Sequence, residues 1–166
     1  MHQAFARFTT ALSAASDPQD PFAALHRLTA ETVGARLFTV TTVEDNGRLA
    51  RRSYTSHPVE YPVSGVKIVE PNRWTEVVLD GRKTFVANSL AEIATVFPDH
   101  ELIGSLGLGS VVNMPVILRG EIGATLNLLD VEGYFTPERV AFITENLTLP
   151  TMAAQLLHDR LLAGTS

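Results

Sequence analysis

The sequence predicts an α+β fold: a central antiparallel sheet of about five or six strands, with the first and last helices on one face and short helices plus an irregular segment over the other. Three observations predict it. Residues 110–130 read as two Val-, Ile- and Leu-rich arms, uncharged inside, folded back around Arg119-Gly120-Glu121, which supplies the polar break and glycine that a hairpin needs. Residues 36–54 repeat the pattern around Asp45-Asn46-Gly47, whose residues tolerate positive φ. Both ends of the chain instead carry apolar residues at three- and four-residue spacing, the period of an amphipathic helix.

In chain order, Phe5, Phe8, Leu12 and Ala15 mark a first helix over residues 2–15, which the run Asp17-Pro18-Gln19-Asp20-Pro21 ends. Asp20 is expected to cap a second helix with Pro21 at its first position; Phe22, Leu25, Leu28 and Thr32 form its buried side and Gly34 stops it. The hairpin of residues 36–54 follows, and Arg48, Arg51 and Arg52 on its second arm read as charges that keep an edge strand from pairing with a neighbour. Residues 56–71 hold three prolines and little periodicity, so they read as an irregular excursion without a strand, of the kind that often carries function.

Asn72 is placed to cap a short helix bearing Trp74, Val77 and Val78, and Thr84-Phe85-Val86 to form a brief strand. Ser89-Leu90-Ala91-Glu92 has the spacing of a capping box, with Glu92 reaching back, and a further short helix starts at Pro98-Asp99. After the central hairpin, Thr136 caps and Pro137 begins a helix whose stripe runs through Val140, Ile143, Leu147, Ala154, Leu157 and Leu161. Pro150 lies inside that stripe, lacks a backbone donor, and is expected to kink the helix between Asn146 and Thr148 without ending it.

Composition narrows the function. A chain of 166 residues reads as one domain, 1–166, able to bury a core without metal or disulfide staples. A net charge of −5 with scattered Lys and Arg offers no basic stripe for phosphates, so nucleic acid is not an expected partner. Zero cysteines remove disulfides, thiolate catalysis, Cys-ligated zinc and thioether cofactor attachment together. No apolar run reaches the ~20 residues of a membrane span and no signal-like segment opens the chain. The expectation is a soluble, cytoplasmic protein without a membrane partner.

Gly107-Leu108-Gly109-Ser110, the Met114-Pro115-Val116 turn, Gly120-Glu121-Ile122-Gly123, and Phe135-Thr136-Pro137-Glu138 before a long apolar helix together resemble the C-terminal half of a GAF domain. With the helical N-terminal segment and the Asn-Gly hairpin ahead of them, the resemblance covers nearly the whole chain. It implies a PAS-related GAF-like sheet. It leaves the ligand open, because such domains bind cyclic nucleotides, bilins, haem or amino acids, and a few are enzymes. The sulfoxide-reducing and bilin-tethering members use cysteines, absent here, and the Asn-Lys…Phe and Asp-Glu features of cyclic-nucleotide binders have no counterpart. By resemblance the ligand cavity lies between one sheet face and the middle excursion. That implies Tyr54, His57, Tyr61, Lys67 and Trp74, with Ser110, Asn113, Thr125 and Asn127 from the strands, as ligand-binding residues.

Read from the residues alone, Asn113 and Asn127 are either satisfied core amides or the floor of a pocket, and whether they share a face depends on strand register. Trp74, the one tryptophan, is either plain core or a pocket wall against a flat ligand; the polar-aromatic run before it favours the wall, and a small planar or aromatic acid as ligand. Five histidines without His-x-His or His-Glu-x-x-His spacing make no metal site, and Ser110 lacks the second glycine of a nucleophile elbow. No catalytic set is expected. The primary reading is a ligand-binding sensory module that signals through a partner or as a homodimer. The alternatives are an enzyme with His57 as acid or base near Glu60, Lys67 or Asp130, and a dimerisation module without ligand. The homodimer is expected through the terminal helices, because one sheet face does not readily bury both of their stripes and residues 21–33 as well.

Overall fold

The computed structural model describes residues 1–164, Asn46 through its backbone only. Two helices come first, α1 (His2–Ser13) and α2 (Asp20–Thr32), then the strands β1 (Leu37–Glu44), β2 (Leu49–Thr55) and β3 (Lys67–Ile68). A helical turn α3 (Arg73–Thr75) runs on as a wider turn over Glu76–Asp80, followed by β4 (Phe85–Ala87), α4 (Leu90–Ala94) and α5 (His100–Ser105). The central hairpin is β5 (Ser110–Leu118) and β6 (Glu121–Asp130), and α6 (Pro137–Asn146) and α7 (Thr148–Gly164) close the chain. All strands pair antiparallel in the order β3-β2-β1-β6-β5-β4, an α+β fold with the apolar hairpin in mid-sheet.

Local chemistry explains most boundaries. Arg119 (φ 56°) and Gly120 (φ 81°) take the two left-handed positions of a tight hairpin turn, which glycine adopts without a Cβ clash. Thr136 Oγ1 accepts from Arg139 N (3.4 Å) ahead of Pro137, and Asn72 and Thr75 form a reciprocal capping box. Val, Leu, Met and Phe on the even-numbered positions of β1, β5 and β6 meet α2 and α7. The helix α1 packs on α2, α2 on α7, and α7 on β5 and β6.

Four expectations are corrected. The excursion does contain a strand: β3 adds to β2 through Leu49↔Ile68 and Ala50↔Lys67, a pairing too short to leave a periodic signal. Asp20 does not cap α2; its Oδ2 accepts from Ser16 N and Asp17 N (both 2.9 Å), so the carboxylate holds the turn before the helix. Glu92 reaches one residue further back than a capping box requires, to Asn88 N (2.7 Å), while Ser89 caps α4 as expected. The C-terminal helix does not merely kink near Pro150; Leu147 separates α6 from α7, within the interval where the missing proline donor acts.

Candidate functional site

The two faces of the sheet differ in chemistry. On the side away from α2 and α7, the odd-numbered positions of β1, β5 and β6 carry Thr39, Thr41, Asn113, Thr125 and Asn127, and a cavity of ≈ 380 Å³ lies over them. Its wall comes from Trp74 of α3, from Tyr61 of the excursion, and from Val96, Phe97 and Ile103 around α4 and α5. That volume falls in the lower part of the range for small-molecule sites.

Register decides what the floor is. Asn113 lies directly opposite Asn127, Asn127 opposite Thr39, and Thr125 opposite Thr41. The two asparagines therefore share a face. Asn113 Oδ1 accepts from Trp74 Nε1 (3.1 Å), Asn113 Nδ2 donates to Asn127 Oδ1 (2.8 Å), and Asn127 Nδ2 donates to Thr39 Oγ1 and Thr41 Oγ1 (both 3.1 Å). A ladder of side chains crosses three strands, so these amides are satisfied mainly by other side chains facing the cavity, not by the sheet's own backbone ladder. Thr125 Oγ1 is buried and has no hydrogen-bond partner among the described residues.

The rim is charged. Arg52 of β2 lies with its guanidinium carbon 5.0 Å from the centre of the Tyr61 ring and donates from Nη1 to Pro62 O (3.0 Å), and among the described residues it has no carboxylate at ion-pair distance. Tyr61 OH donates to Asp99 Oδ2 (3.0 Å), which ties the excursion to the start of α5. Burial, then the Asp99 charge and this hydrogen bond, push the Tyr61 phenol well above its usual range, so it stays a donor. Burial also lowers the Arg52 guanidinium, with the Asp99 charge among the influences that oppose the shift.

Of the residues singled out from sequence, Tyr61, Trp74, Asn113, Thr125 and Asn127 line the cavity together. Four lie elsewhere. Tyr54 is on the opposite face, edge-on to Phe38 (5.7 Å) and within 3.3 Å of His26 Nδ1. His57 Nδ1 pairs with Ser56 Oγ (2.8 Å), and the His57 carbonyl accepts from Tyr61 N (2.8 Å), closing the turn that sends Tyr61 inward while His57 stays outside. Lys67 is exposed, because neighbouring residues of an extended strand point to opposite sides and Ile68 takes the cavity side. Ser110 is fully buried and donates to Val131 O (2.7 Å) beyond the end of β6. The alternative acid–base group is dispersed likewise: Asp130 is held by Arg36 N, Arg36 Nε and Val131 N, and Glu60 is exposed.

Sequence reasoning missed Arg52, Asp99, Thr39 and Thr41. A signal existed for the threonines, since Leu37-x-Thr39-x-Thr41 alternates small polar residues on one face of an otherwise apolar strand. Arg52 had none. Between Val40 and Thr41 the β1–β2 register shifts, so that Tyr54 pairs with Val40, Arg52 with Thr41, and Ser53 is the extra residue. That bulge reverses the parity of β2, turning Tyr54 to the helices and Arg52 to the cavity.

No protein-family model matches the chain, and no curated protein sequence does. Solved structures do. The GAF domain of a phosphoenolpyruvate-protein phosphotransferase from Coxiella burnetii superposes with a TM-score of 0.74 at 16% identity, over 98% of this chain and 95% of that one. The GAF domain of a two-component sensor histidine kinase from Bacillus halodurans gives 0.66 at 14% identity, over 86% and 98%. A red/green cyanobacteriochrome in its red light-absorbing state gives 0.62 at 14%, over 85% and 96%. At such identities what is shared is architecture: the chain has the fold of a GAF domain.

Proposed function

We propose that this chain is a sensory or regulatory module that binds a small planar or aromatic acid in the cavity on the open face of its sheet. The observation that carries the reading is Arg52, a half-buried guanidinium over the Tyr61 ring with no carboxylate at ion-pair distance among the described residues, in a cavity that Trp74 also lines above a floor of oriented amides. Glu70 and Asp99 also line the cavity; Asp99 already accepts from Tyr61, so the ligand carboxylate belongs on Arg52. The proposed ligand-binding set is Arg52, Tyr61, Trp74, Asn113, Thr125 and Asn127. The sensor-kinase and light-absorbing structural neighbours support a sensory role.

All tryptophan emission arises from Trp74, so titrating indole-, naphthyl- and quinoline-carboxylates should change emission and raise Tm together. Arg52→Gln and Trp74→Phe should each weaken binding. A rise in Tm without a change in Trp74 emission places the site elsewhere, and stabilisation by the matched amines in place of the acids overturns the ligand class.

Signalling through a homodimer is part of the proposal, on changed grounds. The stripe of α1 is covered within the chain, since Ala4 and Phe8 are buried in the same core as Phe22 and Ala154, with α1 packed on α2. Support comes from α7, where Leu149 (73% exposed) and Leu156 (52% exposed) lie seven residues apart, the repeat of a helix–helix seam. Sedimentation should show a dimer that Leu149→Glu/Leu156→Glu makes monomeric; a wild-type monomer at micromolar concentration removes the idea.

A further inference from the structure

The direction of hydrogen bonding on the cavity floor is set by one atom. An indole N–H only donates, so the Asn113 atom facing Trp74 Nε1 must be its oxygen, which turns Asn113 Nδ2 toward Asn127. Asn127 must then present its own oxygen to Asn113 and its Nδ2 to Thr39 and Thr41. Both threonine oxygens are thereby acceptors in the ladder, and among the described residues neither hydroxyl hydrogen has an acceptor. Thr125, opposite Thr41 in the register, adds a hydroxyl with no hydrogen-bond partner among the described residues. The far end of the ladder from Trp74 is a cluster of hydroxyl hydrogens on two adjacent strands. It calls for an oxygen that accepts more than one of them.

Charge decides which kind of oxygen. Among the described residues Arg52 is the only Lys or Arg lining the cavity; its strand position is opposite Thr41, but its guanidinium lies over the Tyr61 ring and donates to Pro62 O at the rim. A carboxylate set down on the threonines would give up its water for hydroxyl donors while the guanidinium stays over Tyr61 and on Pro62 O, whereas a carbonyl oxygen has two lone pairs and no charge to desolvate. Resting on the reading that the cavity takes a planar acid, we propose that the ligand is an oxo-acid bound end-on: a neutral carbonyl, lactam or carboxamide oxygen lies over Thr39, Thr41 and Thr125, the ring occupies the cavity that Tyr61 and Trp74 line, and the carboxylate remains at the Arg52 guanidinium. Acceptor recognition at the floor then sets specificity, and the anion at the rim adds affinity common to all planar acids.

The test is a matched pair of probes titrated calorimetrically into the full chain: 4-acetylbenzoate, and 4-isopropylbenzoate, which keeps the shape and the acid but lacks the acceptor. The wild-type chain should prefer 4-acetylbenzoate by about tenfold or more, since a site built to hydrogen-bond discriminates against an analogue lacking the group. Thr125→Val is isosteric and removes a hydroxyl without a partner, so it should fold with an unchanged or higher Tm while shrinking the preference; Thr39→Val should shrink it too. Arg52→Gln should weaken both probes alike and keep the ratio. Equal affinities, tighter binding of the isopropyl compound, or a ratio untouched by both threonine variants sinks the end-on oxo-acid but leaves the planar-acid site standing. No binding or Tm shift with either probe overturns both.

Discussion

The two faces of one sheet, built from alternate residues of the same strands, follow opposite designs. Toward α2 and α7, Phe38, Val40, Val112, Met114, Val116, Ala124, Leu126 and Leu128 are all apolar and 2% exposed or less. One residue along each strand, Thr39, Asn113, Thr125 and Asn127 are also buried but polar, with half-buried Thr41 beside them, and they meet a cavity where the other face meets helices. Burial alone therefore does not separate core from site here. The first face is held by dispersion and exclusion of water, indifferent to direction; the second by hydrogen bonds whose donors and acceptors must match. A face of the second kind costs stability wherever a partner is missing, and it is where a ligand supplies one.

The sharpest way to break that comparison is to cut each face once. Phe38→Ala removes a fully buried ring between α2 and the sheet and should cost ~3–5 kcal/mol in urea denaturation. Asn127→Leu should cost less, ~1–3 kcal/mol, because it strands the Asn113 amide in the interior. Adding Asn113→Leu should recover part of that loss, since two apolar partners leave fewer unmatched groups, although Trp74 Nε1 then lacks its acceptor. Were the single and double variants to lose stability additively, the ladder would not be a coupled unit. Neither variant should bind a planar acid.

Tyr61→Phe tests how firmly the excursion is tied to α5. It removes the bond to Asp99 and should cost ~1–2 kcal/mol. Hydrogen exchange should speed up over residues 57–66 and stay unchanged in β5 and β6. Exchange that quickened equally in the central strands would mean the tie is global.

The smallest effect expected lies on the dry face. His26 stacks on Phe38 (4.8 Å); burial, then the charges of His57 and Arg27, depress its pKa. Its folded value is below the unfolded one, so the unfolded chain takes up a proton first as pH falls. Stability should hold above the ordinary histidine value of about 6.5 and decline as pH drops below it toward the folded pKa. In His26→Phe this part of the decline should vanish; an unchanged Tm–pH slope between pH 7 and 5.5 would count against it.

Much of the fold was legible in the sequence because it is written in short-range chemistry. Helix periodicity, the Thr136-Pro137 start, the Asn72 cap and the Arg119-Gly120 turn act within about five residues, and the two apolar hairpins follow from alternation and turn residues. The same alternation put Asn113 and Asn127 among the candidates, and the excursion before Trp74 marked Tyr61. Tertiary structure decided the rest, since it depends on strands meeting. Asn127 faces Thr39 across 88 positions of sequence, and whether the asparagines share a face turns on register between strands. The bulge at Ser53 put Tyr54 and Arg52, which would share a face of a regular strand, on opposite sides of the sheet, and nothing within β2 requires an extra residue there. Bulge and register are set by how both partner strands pack, on one side against α2 and α7 and on the other around a cavity, and a single strand's residues do not contain that information.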